Sequence, residues 1–137
     1  MSARSFLDSN ILVYTDDLDS PTKRRSALDL AKSAVSEGWG VVSTQVLQEY
    51  FAVATGKLGV SADIARAKIE IFSRLDLVIV DMPTILGAID IHRLHGMSFW
   101  DGLIIQAARS AGCRVLYTED LQHGRLFDGL EVVNPFT

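Results

Sequence analysis

Arg114-Val115-Leu116-Tyr117-Thr118-Glu119-Asp120 reads as a short apolar strand running straight into acid, and Ser5-Phe6-Leu7-Asp8 repeats the device near the N-terminus. Open parallel α/β sheets bind ligands in the crevice outside the carboxyl ends of their strands. Asp8 and Asp120, each just past a predicted strand end, therefore fall where such a crevice forms. Two more acids, Glu49 and Asp101, sit on predicted helices that begin near the same edge. Carboxylate oxygens gathered without His or Cys suit Mg²⁺ or Mn²⁺. A metal bridging carboxylates and phosphate is in turn the usual equipment of phosphodiester hydrolysis.

Working outward, short β-rich runs alternate with helical stretches, which predicts βαβ units and a parallel sheet. Ser20-Pro21 opens a helix through Leu28, Ala31 and Val35 that stops before Gly38. Trp39 to Ser43 reads as the second strand. Thr44 to about Thr55 carries Val46, Leu47, Tyr50, Phe51, Val53 and Ala54 on one arc and ends at Gly56. Ser61 and Asp63 start a helix with Ile64, Ala67, Ile71 and Leu75 at helical spacing. Leu77-Val78-Ile79-Val80 is a continuous apolar run, expected to be a strand buried on both faces. Pro83-Thr84 begins a helix with Ile85, Ala88, Ile89 and His92, Ser98 caps the next, and Gly112 closes it. Leu130 to Val133 is a candidate last strand.

With 137 residues, 48% of them hydrophobic, the chain has the size and apolar content of one domain, residues 1–137. No apolar run approaches the roughly 18–20 residues of a membrane span, and Met1-Ser2-Ala3-Arg4 before a strand does not read as a signal peptide, so a cytoplasmic location is expected. The single cysteine, Cys113, has no partner for a disulfide or zinc signature and reads as packing. A formal charge of −4 argues against a globally basic nucleic-acid binder, although four clustered acids would account for that much negative charge. Local basic groups are Lys23-Arg24-Arg25, Arg66 with Lys68, His92 with Arg93 and His95, and His123 with Arg125.

Each candidate acid has an ordinary reading beside the chemical one. Asp8-Ser9-Asn10 has the form of an Asx-type turn leaving a strand. Glu49 lies at the edge of its helix's apolar arc, where a surface glutamate also belongs. Ser98-Phe99-Trp100-Asp101 has capping-box spacing, yet Asp101 falls among Ile104, Ile105 and Ala108, where an unpaired carboxylate costs several kcal/mol. Asp120 is preferred to Glu119 as a ligand, with Glu119 in reserve. Phe99 and Trp100 suit base stacking, though such a pair is more often core.

These residues resemble the PIN-domain ribonucleases, most closely the VapC-type toxins of bacterial and archaeal toxin–antitoxin pairs. The likeness rests on Phe6-Leu7-Asp8-Ser9-Asn10, Leu47-Gln48-Glu49-Tyr50, Ser98-Phe99-Trp100-Asp101 before Ala107-Ala108, and Leu116-Tyr117-Thr118-Glu119-Asp120-Leu121. It departs at Ser9, where the family usually has Thr. The resemblance implies a three-layer α/β/α fold with strand order near 3-2-1-4-5. It also implies one or two Mg²⁺ or Mn²⁺ ions on Asp8, Glu49, Asp101 and Asp120, with Asn10, Ser98 and Thr118 orienting them. The expected activity is metal-dependent endoribonuclease cleavage, leaving 5′-phosphate and 3′-hydroxyl ends. Arg25, Lys57, Arg109 and His123 are the candidate RNA contacts. An antitoxin that blocks the crevice and a homodimer formed through the early helices are the implied partners. The rival readings are a catalytically silent PIN-like RNA- or protein-binding module, and an aspartyl phosphotransfer enzyme. Asp8 lacks the second Asp two residues on that a phosphatase of the latter kind uses.

Overall fold

A computed structural model describes residues 3–137; Met1 and Ser2, where the reading of the N-terminus began, lie outside the described residues. The elements run β1 (Ser5–Leu7), α1 (Ser9–Tyr14), α2 (Pro21–Glu37), β2 (Gly40–Ser43), α3 (Thr44–Gly56), α4 (Ala62–Phe72), β3 (Asp76–Val78), α5 (Met82–His95), α6 (Phe99–Ser110), β4 (Val115–Tyr117), β5 (Leu126–Phe127) and β6 (Leu130–Val133). They form one sheet in the order β3-β2-β1-β4-β6-β5, parallel throughout except for the β5–β6 pair. The expected order 3-2-1-4-5 therefore holds for the parallel strands, with β6 as the fifth.

β1 lies near the middle of the sheet, paired with β2 on one side and β4 on the other, and all three of its residues are buried. Phe6 is in register with Val41 on one side and Leu116 on the other, and none of the three retains solvent exposure. Each such side chain contributes about 1.5–3 kcal/mol by leaving water. This core fixes the strand ends from which the site is built. Asp8 follows β1 and caps α1, and Ser43 ends β2 and caps α3 by accepting from the Val46 amide at 3.3 Å.

Several local expectations are corrected. Leu77 to Val80 is not a strand buried on both faces: β3 is an outer strand of the sheet, as the implied order had it, and Leu77 and Ile79 are exposed. A hydrophobic run encodes affinity for a sheet but not a place within it. α4 forms where expected but turns Ile64 and Ile71 to solvent and docks through Ala65 and Phe72, the face that carries Lys68 to Asp16. α5 likewise buries Thr84, Ala88 and Ile91, leaving Ile89 and His92 exposed. Ser20 precedes α2 without a side-chain cap bond, whereas Gly38 ends it in the left-handed conformation at φ 74°. α3 runs through Gly56 and stops at Lys57. The unforeseen β5 pairs with β6 through Asp128-Gly129, both at positive φ, the turn chemistry of a two-residue hairpin. Cys113 is buried as expected, and burial pushes its thiol up to about 11.

Exposed large apolar side chains lie on or just after β3 and on α5, at Leu77, Ile79, Met82, Leu86 and Leu94, and also at Leu18 between α1 and α2 and at Ile64 and Ile71 on α4. No helix among the described residues is long and apolar enough to cross a membrane.

α5 and α6 pack closely because Gly102 has no side chain: a Cβ there would stand 2.8 Å from the Ala88 carbonyl oxygen. Backbone cannot yield as a side chain does. Gly102→Ala is accordingly expected to cost about 1–3 kcal/mol in chemical denaturation. An unchanged midpoint would show that the helices separate freely.

Candidate functional site

Asp8 is 5% exposed and lies at the floor of the site, its position set by β1 behind it and α1 in front. Its Oδ1 accepts from the Ser9 amide at 2.7 Å, and its Oδ2 accepts from the Thr118 hydroxyl at 2.9 Å. Thr118 stands at the end of β4, so this bond joins the two central strand ends. The Asn10 amide extends the link, donating to Thr118 Oγ1 at 3.0 Å and to Asp120 Oδ2 at 3.1 Å. The Asp120 backbone amide also donates to Thr118 Oγ1, at 3.1 Å. Burial, aided by the charges of Asp120 and Glu49, pushes the Asp8 carboxyl up to about 7.

Glu49 on α3 and Asp101 on α6, both half-buried, complete the walls. Asp8, Glu49, Asp101 and Asp120 line one cleft of about 320 Å³ together with Ser9, Gln45 and Trp100. Ser98 caps α6 by accepting from the Asp101 amide at 3.1 Å. Among the described residues no bond returns from the Asp101 carboxylate to Ser98, so the capping box stays half-formed and the carboxylate is left to the cleft. Glu119, the reserve ligand, is turned away: it accepts from Tyr14 at 2.5 Å and from Lys23 at 3.0 Å.

The candidate RNA contacts separate. Lys57 lines an adjoining cleft of about 260 Å³ that also holds Asn10, Glu119 and Asp120. Arg25 lies in a different depression with Leu18, Arg24 and Lys32. Arg109 pairs with Asp128 at 2.9 Å, beside a depression near the start of β4 and so away from the acids. The exposed His123 accepts from the Asn134 amide at 3.0 Å and lies outside both acidic clefts.

Of the two readings of the aromatic pair, base stacking and core, the place of Trp100 suits the first: it is 63% exposed on the wall of the carboxylate cleft, braced edge-on by Phe99 with ring centroids 5.2 Å apart. One buried polar residue of the cleft was not among the candidates. Gln45, 7% exposed, reaches into the same group of residues. Its i,i+4 spacing to Glu49 on a predicted helix was the available signal.

The donor set is hard oxygen throughout, with no sulfur or imidazole in the cleft, which fits Mg²⁺ or Mn²⁺ rather than zinc. The buried, charge-crowded Asp8 also fits, since a cation would relieve what burial costs its carboxylate. Among the described residues no three acidic, His or Cys side chains already stand close enough to hold an ion. Like charges sharing a cleft repel, and a cation among the four carboxylates would offset that repulsion.

A three-layer α/β/α domain with acids at the ends of its two central strands defines the class of protein. The chain belongs to the PIN domain family, which matches it over residues 5–126. No curated protein matches the sequence. Solved structures share the fold at low identity. VapC20 of Mycobacterium tuberculosis, described as a sarcin-ricin loop cleaving toxin, is 18% identical, with 85% of this chain and 91% of that one covered and a TM-score of 0.63. A toxin–antitoxin complex from Klebsiella pneumoniae is 18% identical over 96% of this chain and 97% of the other, with a TM-score of 0.67. DNA-bound VapBC from Salmonella typhimurium is 20% identical over the same shares, with a TM-score of 0.66.

Proposed function

We propose that the protein is a metal-dependent endoribonuclease and the toxin of a toxin–antitoxin pair. The observation that carries the reading is the arrival of Asp8, Glu49, Asp101 and Asp120, from four separate elements, in a single cleft. A site that only bound RNA would gain nothing from concentrating negative charge against a polyanion. Membership of the PIN family and the toxin neighbours support the same reading.

In this mechanism the four carboxylates hold one or two Mg²⁺ or Mn²⁺ ions. When bound, such an ion lowers the pKa of a water and stabilises charge developing on the phosphate. Thr118 and Asn10 keep Asp8 and Asp120 facing the cleft through the bonds described above. Ser98 fixes the first turn of α6 and so the place of Asp101, the acid assigned to take the attacking water's proton. Lys57, which lines the adjoining cleft with Asp120, is the residue this reading assigns to a phosphate beside the scissile one. Trp100 offers an exposed ring for a base. Hydrolysis by water needs no 2′-hydroxyl participation and leaves 5′-phosphate and 3′-hydroxyl ends.

The antitoxin complexes among the structural neighbours support a proteinaceous inhibitor for this chain. The homodimer belongs to the same reading, and light scattering checks it. The test of activity is incubation of purified total RNA with the protein in Mg²⁺, in Mn²⁺ and in EDTA. Cleavage with either ion, lost in EDTA and in Asp101→Asn, is the expected result. RNA binding that persists in EDTA without cleavage, from folded and inhibitor-free protein, would favour the silent binding module instead.

A further inference from the structure

We infer that Gln45 is a positioning residue, a strut that sets Glu49 against the first turn of α6; the inference rests on the metal-site reading above. Gln45 lies in the first turn of α3 and is buried. Its Nε2 donates to Glu49 Oε2 at 3.2 Å, one turn along the same helix, and to the Trp100 carbonyl oxygen at 3.3 Å. Trp100 immediately precedes Asp101. One amide group thus ties the helix that carries one acid to the backbone beside another.

The other half of the amide shows that this arrangement is not merely convenient packing. Gln45 Oε1 is buried and has no hydrogen-bond partner, alone in this among the side-chain atoms of the described residues. An unsatisfied buried acceptor forfeits its hydration without return. Turning the amide over gives no relief, because the oxygen would then face a carboxylate and a carbonyl, both acceptors. An apolar side chain of the same length would fill the space without that cost. What Gln45 does and an apolar residue cannot is hold Glu49 by a hydrogen bond, and that is its function in the site.

Gln45→Met keeps length and volume while removing the amide. Thermal melting in EDTA and Mn²⁺ affinity, read from the free-ion paramagnetic resonance signal, separate the two roles. The expected result is a melting midpoint at or above that of the unaltered protein, with Mn²⁺ affinity lowered about tenfold, as for other groups that orient metal ligands. In a Glu49→Gln background the same substitution is expected to change affinity less than about twofold, because the strut then has no ligand to position. Unchanged Mn²⁺ affinity in Gln45→Met, effects that add fully with Glu49→Gln, or a midpoint well below that of the unaltered protein would each overturn the assignment. If the unaltered protein shows no Mn²⁺ binding that Asp8→Asn removes, the metal reading itself fails and the strut with it, which is a different pattern from failure of the strut alone.

Discussion

Asp8→Asn is expected to lower metal-dependent RNA cleavage by at least about 10²–10³-fold, the scale on which sites lose rate when a group stabilising transition-state charge is removed. The same variant is expected to melt at a higher temperature than the unaltered protein in EDTA. Both effects come from one side chain, which is 5% exposed and crowded by the charges of Asp120 and Glu49. An ionised carboxylate so placed costs free energy unless it is ligated. Asparagine keeps the local structure, since its Oδ1 can still accept from the Ser9 amide and Asn caps helices as well as Asp does. It removes the charge together with the acceptor of the Thr118 hydroxyl, and the burial cost of that charge outweighs the net worth of one hydrogen bond. Added Mn²⁺ should therefore raise the melting midpoint of the unaltered protein and leave that of Asp8→Asn where it was. Full cleavage by Asp8→Asn would remove Asp8 from the chemistry, and a lower midpoint in EDTA would show that its charge is compensated within the protein.

The contrast with what the sequence makes legible is instructive at particular residues. Strand ends could be read because Phe6-Leu7-Asp8 and Leu116-Tyr117 switch abruptly from apolar to acidic, and a parallel sheet places such switches along one edge. The six-residue α1 escaped notice because it is too short to show a period, so Asp8 read as a turn acid when it is also a cap. Leu77-Val78-Ile79-Val80 read as buried on both faces although the order implied by the family likeness already set the third strand outermost, because an apolar run by itself does not say which of its faces another layer covers. The β5–β6 hairpin was announced by Asp128-Gly129 and passed over. At the site, the acids are distinctive in type and placement. The basic candidates are not: Arg109 turns to Asp128 and Lys57 to the adjoining cleft through contacts between elements far apart in the chain. Gln45 was missed for the same reason, since only the tertiary contact to Trp100 distinguishes it from an ordinary helical glutamine.

Asp16→Ala is the substitution expected to destabilise the fold most through a polar contact, by about 3 kcal/mol, or roughly 10 °C in melting midpoint. Asp16 follows α1 and is the meeting point of three helices. Its Oδ1 receives the Lys68 ammonium from α4 at 2.7 Å, and its Oδ2 receives the Tyr50 hydroxyl from α3 at 2.6 Å. Lys68 also donates to the Thr15 hydroxyl at 2.6 Å and lies over the rings of Tyr50 and Phe72. Burial and the bond to Asp16 both raise the pKa of the Tyr50 hydroxyl, so it stays a neutral donor. Removing the carboxylate leaves an ammonium and a hydroxyl partly enclosed without their shared acceptor, the costly way to break such a group. Removing the ammonium as well, in Asp16→Ala with Lys68→Met, should recover part of the loss, since the pair is less costly to delete than to break. The effect reaches the site because α1 is short: Asp8 caps one end and Asp16 anchors the other, while Tyr50 adjoins Glu49 on α3. Loosening this anchor should lower Mn²⁺ affinity even at temperatures where the variant remains folded. If the double variant melts as low as Asp16→Ala, the loss comes from packing rather than from the stranded charge. If Asp16→Ala melts with the unaltered protein, the three-helix anchor contributes nothing to the fold.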